Sequence, residues 1–176
     1  MLYWAKARGL RAAAYDPDLE RMIAYRPQDS TFVVTRNGDA DAQIGDPIAA
    51  LSGPPHKVVL MTDSRSENAA VIAGLQRQIG DRARVLASSP TIIEVIIPGV
   101  SKAQAMSWVA ERLGVGREET MAIGDGDNDV EILEWAALGV AMGNGSAAAK
   151  AAADWIAPSV EEDGLAAALH RFILDS

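Results

Sequence analysis

Apolar positions along the chain fall into two textures. From residue 99 onward, short apolar runs alternate with stretches at helical spacing. Met106, Val109, Ala110 and Leu113 predict a helix that begins near Lys102 with these residues on its inward face. Gly114 stands where helix ends favour glycine. Residues 120–123 read as a buried strand, a polar loop follows at 124–129, and Val130, Leu133 and Ala137 predict the next helix. Gly139-Val140-Ala141-Met142 predicts a second strand, Gly143-Asn144-Gly145-Ser146 a turn, and the Ala-rich 147–153 a helix. Trp155-Ile156-Ala157 is a third short strand stopped by Pro158, and a last helix is expected to turn Leu165, Leu169, Phe172 and Ile173 inward. Strands alternating with helices imply an α/β fold with a parallel, doubly wound sheet.

Residues 1–98 read differently. Thr31–Thr35, Lys57–Met61, Arg84–Leu86 and Ile92–Ile96 predict strands, and Val71, Leu75 and Ile79 mark a helix. The turn-like Ala87-Ser88-Ser89-Pro90-Thr91 joins the last two strands as an antiparallel hairpin. This is an α+β module, and Pro98-Gly99 is its natural boundary. The opening MLYWAKARGLRAAAY, basic and free of acids, reads as an amphipathic surface helix and lacks the apolar centre of a secretory signal. Glu94 and Arg36 are polar candidates for ligand contact, although a lone charge in a half-buried strand commonly faces solvent.

Composition narrows the function. Hydrophobic residues make up 49% of 176, enough for a sizeable core. There is no cysteine, which excludes disulfides, a thiol nucleophile and zinc–cysteine sites and suits a cytoplasmic location. No stretch approaches the roughly 18 apolar residues of a membrane span. Residues 1–98 carry 11 basic and 11 acidic side chains, and residues 99–176 carry 5 and 13, so the second half holds the whole net charge of −8. That balance argues against nucleic acid as a partner.

Chemistry concentrates in Gly124-Asp125-Gly126-Asp127-Asn128-Asp129, at the carboxyl end of a predicted strand. Hard oxygen ligands there suit Mg²⁺, and glycine permits close approach to the backbone. A calcium loop would need glycine where Val130 stands and glutamate where Ala136 stands. Helix capping needs one carboxylate, whereas three lie within five residues. A cation or a lysine accounts for them better. Lys102, 23 residues before Asp125 at the start of the preceding helix, is that lysine. In a parallel βα sheet a helix start and the next strand's end share one crevice.

Gly99-Val100-Ser101-Lys102, the acidic loop and Gly139-Val140-Ala141-Met142-Gly143-Asn144 together resemble the haloacid dehalogenase (HAD) superfamily, and more narrowly its Cof-type sugar-phosphate phosphatases with an α/β cap. The resemblance implies a Rossmann-like HAD core, its C-terminal half at 99–176, with a cap domain at 1–98. It implies a Mg²⁺-dependent phosphatase acting on a small phosphorylated metabolite through an aspartyl-phosphate. On this resemblance Lys102 stabilises phosphate, Asp125 is a metal ligand, and Asn128 contacts substrate phosphate. Asp129 orients the lysine or a metal-bound water and counts among the metal residues, while Asp127 has no assigned role.

The family's first motif, an apolar strand ending in Asp-x-Asp-Gly-Thr, has no good match. Ala12 through Asp18 has the aspartate spacing but continues Leu19-Glu20, and Pro17 has no amide to donate. Thr35-Arg36-Asn37-Gly38 resembles the second motif but reads better as a turn. The expectation is therefore that the chain lacks about the first half of the core and its nucleophile. Met1 would then be an internal methionine or an alternative start. The strand ending at Asp125 would have an unpaired edge, and a homodimer through that edge is expected. The competing expectation is a catalytically inactive fragment that binds a ligand or partner.

Overall fold

Gly9 adopts left-handed backbone (φ 67°), ending the first helix, α1 (Leu2–Ala7), and turning the chain into strand β1 (Arg11–Tyr15). The opening is thus a short helix plus a buried strand, where one amphipathic helix was expected. Three consecutive alanines in it, Ala12 to Ala14, are fully buried, and Ala12 and Ala14 pack against α1. The computed structural model describes residues 1–17, 22–25 and 42–175. The expected strand Thr31–Thr35, the segment Thr35–Gly38 with Arg36, and Asp18 to Glu20 lie outside the described residues.

The described chain divides into two compact units, Met1–Gly99 and Val100–Ser176. The first contains β1, β2 (Met22–Ala24), β3 (Ala42–Ile44), α2 (Pro47–Ala50), β4 (Lys57–Met61), α3 (Arg65–Ile79), β5 (Arg84–Ser89) and β6 (Ile92–Ile96). Its described strands form one sheet in the order β3-β2-β1-β4-β6-β5, antiparallel except for the β2–β3 pair. The expected hairpin is present as β5–β6. Ala12, Ala14, Val58, Leu60, Ile93 and Val95 share one face and pack with Leu2 and Ala5 of α1 and Leu75 of α3. Each fully buried Leu or Ile there contributes about 2 kcal/mol.

The second unit begins with α4 (Lys102–Leu113), capped by the Ser101 hydroxyl at its start and by Gly114 in left-handed conformation at its end. Strands β7 (Met121–Gly124), β8 (Leu138–Ala141) and β9 (Trp155–Ile156) form a parallel sheet in that order. Helices α5 (Val130–Trp135) and α6 (Ala147–Ala152) cross between the strands, and α7 (Gly164–Leu169) follows the last. Gly139 lets α5 lie close to β8, since a Cβ there would fall 2.4 Å from the Leu133 carbonyl oxygen. The Arg117 guanidinium donates to the Glu134 and Trp135 carbonyls, closing the C-terminus of α5.

Two helices expose residues that periodicity assigned inward. On α4 only Ala110 is buried, while Met106, Val109 and Leu113 are exposed, Leu113 at 72%. On α7, Gly164 and Ala168 face the core and Leu165 is exposed, and in the turn after it Phe172 packs against the core while Ile173 is exposed. The reason on α7 is contact distance: a Cβ on Gly164 would sit 2.0 Å from the Pro158 carbonyl oxygen, so the helix packs on its smallest residues. Along β7, hydrogen bonding runs to β8 on one side, and no described strand of this unit pairs with the other.

Candidate active site

Strand β7 ends at Gly124, and the loop after it folds back as a single turn of 3-10 helix over Asp127–Asp129. Asp129 is 5% exposed and holds this loop together. Its Oδ2 accepts from the backbone amides of Asp125 (3.0 Å) and Gly126 (2.9 Å), and its Oδ1 accepts from the Lys102 ammonium. The two strand-end glycines make room for this arrangement. A Cβ on Gly124 would fall 2.5 Å from the Asp129 Cβ, and one on Gly126 would fall 2.4 Å from the Asn128 Oδ1.

Burial pushes the Asp129 carboxyl upward, because it disfavours charge. The hydrogen bond from Lys102, the amides of Gly126 and Asp125, and the lysine's charge together outweigh burial and hold its pKa below the ordinary value of 3.8. Asp129 is therefore an ionised clamp near neutral pH. Both of its oxygens are engaged inside the chain, and the Lys102 side chain remains half exposed beside it.

Asp125 contrasts with Asp129. Its side chain is exposed, and among the described residues no hydrogen bond or ion pair engages its carboxylate. Its main chain is held on both sides, since its amide donates to Asp129 and its carbonyl accepts from the Ser146 amide at 2.8 Å. The Met142 amide similarly donates to the Gly124 carbonyl at 2.9 Å. The 142–146 turn is thus the second wall of the acidic loop, a role the sequence reading did not assign. Its signal was present: Gly145 is required because a Cβ there would meet the Met142 carbonyl oxygen at 2.8 Å and the Asp125 carbonyl oxygen at 3.1 Å.

The structure places the four sequence-assigned residues, Lys102, Asp125, Asn128 and Asp129, within one unit, on the start of α4 and the loop after β7. It brings Lys102 and Asp129 into contact, leaves Asp125 facing solvent, and half-buries Asn128 over Gly126. Asp16 lies at the end of β1 in the other unit, fully buried, with its two oxygens accepting from the Ser52 amide (2.8 Å) and hydroxyl (2.7 Å). An enclosed, hydrogen-bonded carboxylate of this kind orders a loop.

Comparison with known proteins shows the family. A family model described as haloacid dehalogenase-like hydrolase matches residues 3–169. The chain is 46% identical over 87 residues to the 5-amino-6-(5-phospho-D-ribitylamino)uracil phosphatase YcsE of Bacillus subtilis, covering 49% of this chain and 35% of that protein. It is 39% identical over 116 residues to the chloroplastic endoribonuclease YBEY of Arabidopsis thaliana, covering 66% of this chain and 20% of that protein. A haloacid dehalogenase-like hydrolase from Bacteroides thetaiotaomicron superposes with a TM-score of 0.78 at 30% identity, covering 98% of this chain and 65% of that one. The chain therefore spans about a fifth to a third of these two curated relatives. With a match that runs through both units, the chain belongs to the haloacid dehalogenase-like hydrolase family.

Proposed function

We propose that this chain supplies the phosphate-stabilising and metal-binding part of a phosphatase site acting on a small phosphorylated metabolite such as a sugar phosphate. In this reading residues 1–98 are the α+β cap and residues 99–176 the C-terminal half of the core. The single observation that carries it is the lysine–aspartate clamp, Lys102 on Asp129, set beside a free and exposed Asp125. Lys102 keeps N–H donors beyond the one given to Asp129, so its ammonium can meet a phosphate oxygen while the clamp stays closed. Asn128 is the candidate for a second contact to the phosphate.

Among the described residues no group of three or more His, Cys, Asp or Glu side chains could cage a metal. Mg²⁺ suits what is present, because it commonly takes one or two carboxylates and completes its shell with water and phosphate. Asp125 is then the protein ligand, and Asp129 acts by holding the Asp125 amide and Lys102. When bound, Mg²⁺ supplies charge screening for the phosphate. No Asp-x-Asp-Gly-Thr occurs in residues 1–176, and Asp16 is enclosed, so we place the attacking carboxylate outside these residues. Among the described residues no helix is long and apolar enough to cross a membrane, and with the absent cysteines we read the location as cytoplasmic.

The test is Mg²⁺ titration of the chain in the presence of inorganic phosphate. Asp125→Ala is expected to weaken Mg²⁺ at least tenfold, and unchanged affinity would remove the assignment. Turnover of p-nitrophenyl phosphate by the chain that is lost in Asp16→Asn would instead put the nucleophile in β1. The enclosure of Asp16 also favours a second reading, a module that binds ligand or partner without turnover. Binding of Mg²⁺ and phosphate with no turnover by any longer form carrying an Asp-x-Asp-Gly-Thr strand would decide for it.

The edge of β7 that no described strand pairs with and the exposed stripe of α4 support a homodimer as part of the same proposal. Light scattering at increasing concentration is expected to show a rise toward twice the monomer mass. A constant monomer mass at high concentration would overturn it.

A further inference from the structure

Three loops leave the carboxyl ends of β7, β8 and β9, and hydrogen bonds join them in series. The Ser146 amide donates to the Asp125 carbonyl at 2.8 Å, which ties the turn after β8 to the acidic loop. The Val160 amide donates to the Asn144 Oδ1 at 2.9 Å, which ties the same turn to the segment after β9. Asn144 is exposed, so burial does not compel its side chain to find a partner within the chain. Nor is the bond a local cap, since it spans 16 residues. Ser159, next to Val160, has its own amide and hydroxyl engaged by Glu162.

The residues on either side show what this bond restrains. A Cβ on Gly143 would fall 2.7 Å from the Ser159 nitrogen, and one on Gly145 would fall 3.2 Å from the Asp125 Cα. The turn is wedged between two backbones, and neither contact leaves room for a side chain. Of residues 143–145, Asn144 alone can anchor the turn by a side chain. Main-chain bonds hold the turn at its start, where the Met142 amide donates to Gly124 and the Gly143 amide to Pro158. Beyond that, two glycines leave the backbone free to rotate, and the Asn144 bond lies between them.

Asp125 is where that restraint matters. Among the described residues no partner engages its carboxylate, so its direction is set by the main chain. One side of that main chain is held by Asp129 and the other by Ser146. We propose that Asn144 is a positioning residue, which fixes Asp125 through the turn at 142–146. Its consequence for Mg²⁺ rests on the role proposed for Asp125, whereas the restraint itself does not.

The experiment is amide hydrogen exchange of the full chain by NMR, paired with Mg²⁺ titration, in Asn144→Ala and Asn144→Asp. Asn144→Ala removes the acceptor, and Asn144→Asp keeps an oxygen in its place. Exchange at Ser146 is expected to quicken about fivefold in Asn144→Ala and to return within about twofold in Asn144→Asp. The amide of Leu133, buried in α5, reports opening of the whole unit and is expected to keep its rate in both variants. Mg²⁺ affinity is expected to fall about fivefold in Asn144→Ala and not to fall in Asn144→Asp. Unchanged exchange at Ser146 in Asn144→Ala, equal loss of protection in both variants, or a matching rise at Leu133 would each overturn the proposal. So would unchanged Mg²⁺ affinity in Asn144→Ala where the natural chain binds the ion. A natural chain that binds no Mg²⁺ would instead remove the role proposed for Asp125, and the exchange rates would still decide for or against Asn144.

Discussion

Asp129→Ala is expected to lower the unfolding free energy by about 3 kcal/mol, read as a shift of the urea midpoint with unchanged slope. The substitution removes three hydrogen-bond partners at once. The amides of Asp125 and Gly126 lose the oxygen they both donate to, and the Lys102 ammonium loses its counter-charge. Hydrogen bonds to a charged acceptor contribute about 1.5–3 kcal/mol each. The three are coupled through one carboxylate, and Lys102 is half exposed, so the sum is well below three times that value. The pH dependence provides a separate check. The native pKa of Asp129 is lowered, so its contribution is full above the unfolded-state value near 3.8 and is lost as the pH falls from there through the native value. The stability gap between the natural chain and Asp129→Ala should therefore narrow under acid and stay level above that range. A gap that widens as the pH drops below 3.8 would contradict the clamp.

Gly124→Ala is the second large effect, expected to destabilise by about 2–3 kcal/mol. Its backbone dihedral is ordinary, so conformational freedom is not the reason. The added methyl would lie 2.5 Å from the Asp129 Cβ and 2.8 Å from its Cγ, and Asp129 cannot retreat without releasing its amide partners. The strain therefore falls on the loop that positions Asp125, and the Mg²⁺ binding proposed for Asp125 should weaken along with stability. Gly45→Ala is the matched control, because a Cβ there meets nothing within 4 Å. A change within about 0.5 kcal/mol is expected for it in the same urea titration. Equal effects at the two glycines would show that general glycine entropy, and not crowding against Asp129, sets the cost.

Much of the fold was legible because local rules and tertiary packing agree. Lys57–Met61 and Ile92–Ile96 are strands with the expected bounds, since continuous β-branched and aliphatic runs suit the centre of a sheet. The helix from Lys102 ends at Gly114 as anticipated, because only its left-handed conformation was at stake there. Arg11–Tyr15 was less legible: alanine favours helices, and burial between β2 and β4 overrode that preference. Periodicity grouped Met106, Val109 and Leu113 on one side of α4 but could not say what covers that side. Pattern records which residues share a face, whereas burial depends on a neighbour arriving.

The same division runs through the candidate site. Sequence alone pointed to the family, singled out Lys102, Asp125, Asn128 and Asp129 as candidates, and showed no Asp-x-Asp-Gly-Thr within residues 1–176, because motif chemistry and spacing are written linearly. Tertiary structure separated two aspartates that look alike in the sequence: Asp129, whose oxygens are taken up by two amides and a lysine, and Asp125, whose carboxylate is left to solvent. It also joined Glu94 to Lys57 across two strands, turning a lone charge into a pair. Hydrogen bonds and burial are set by groups far apart along the chain, and only the folded backbone brings those groups within reach of one another.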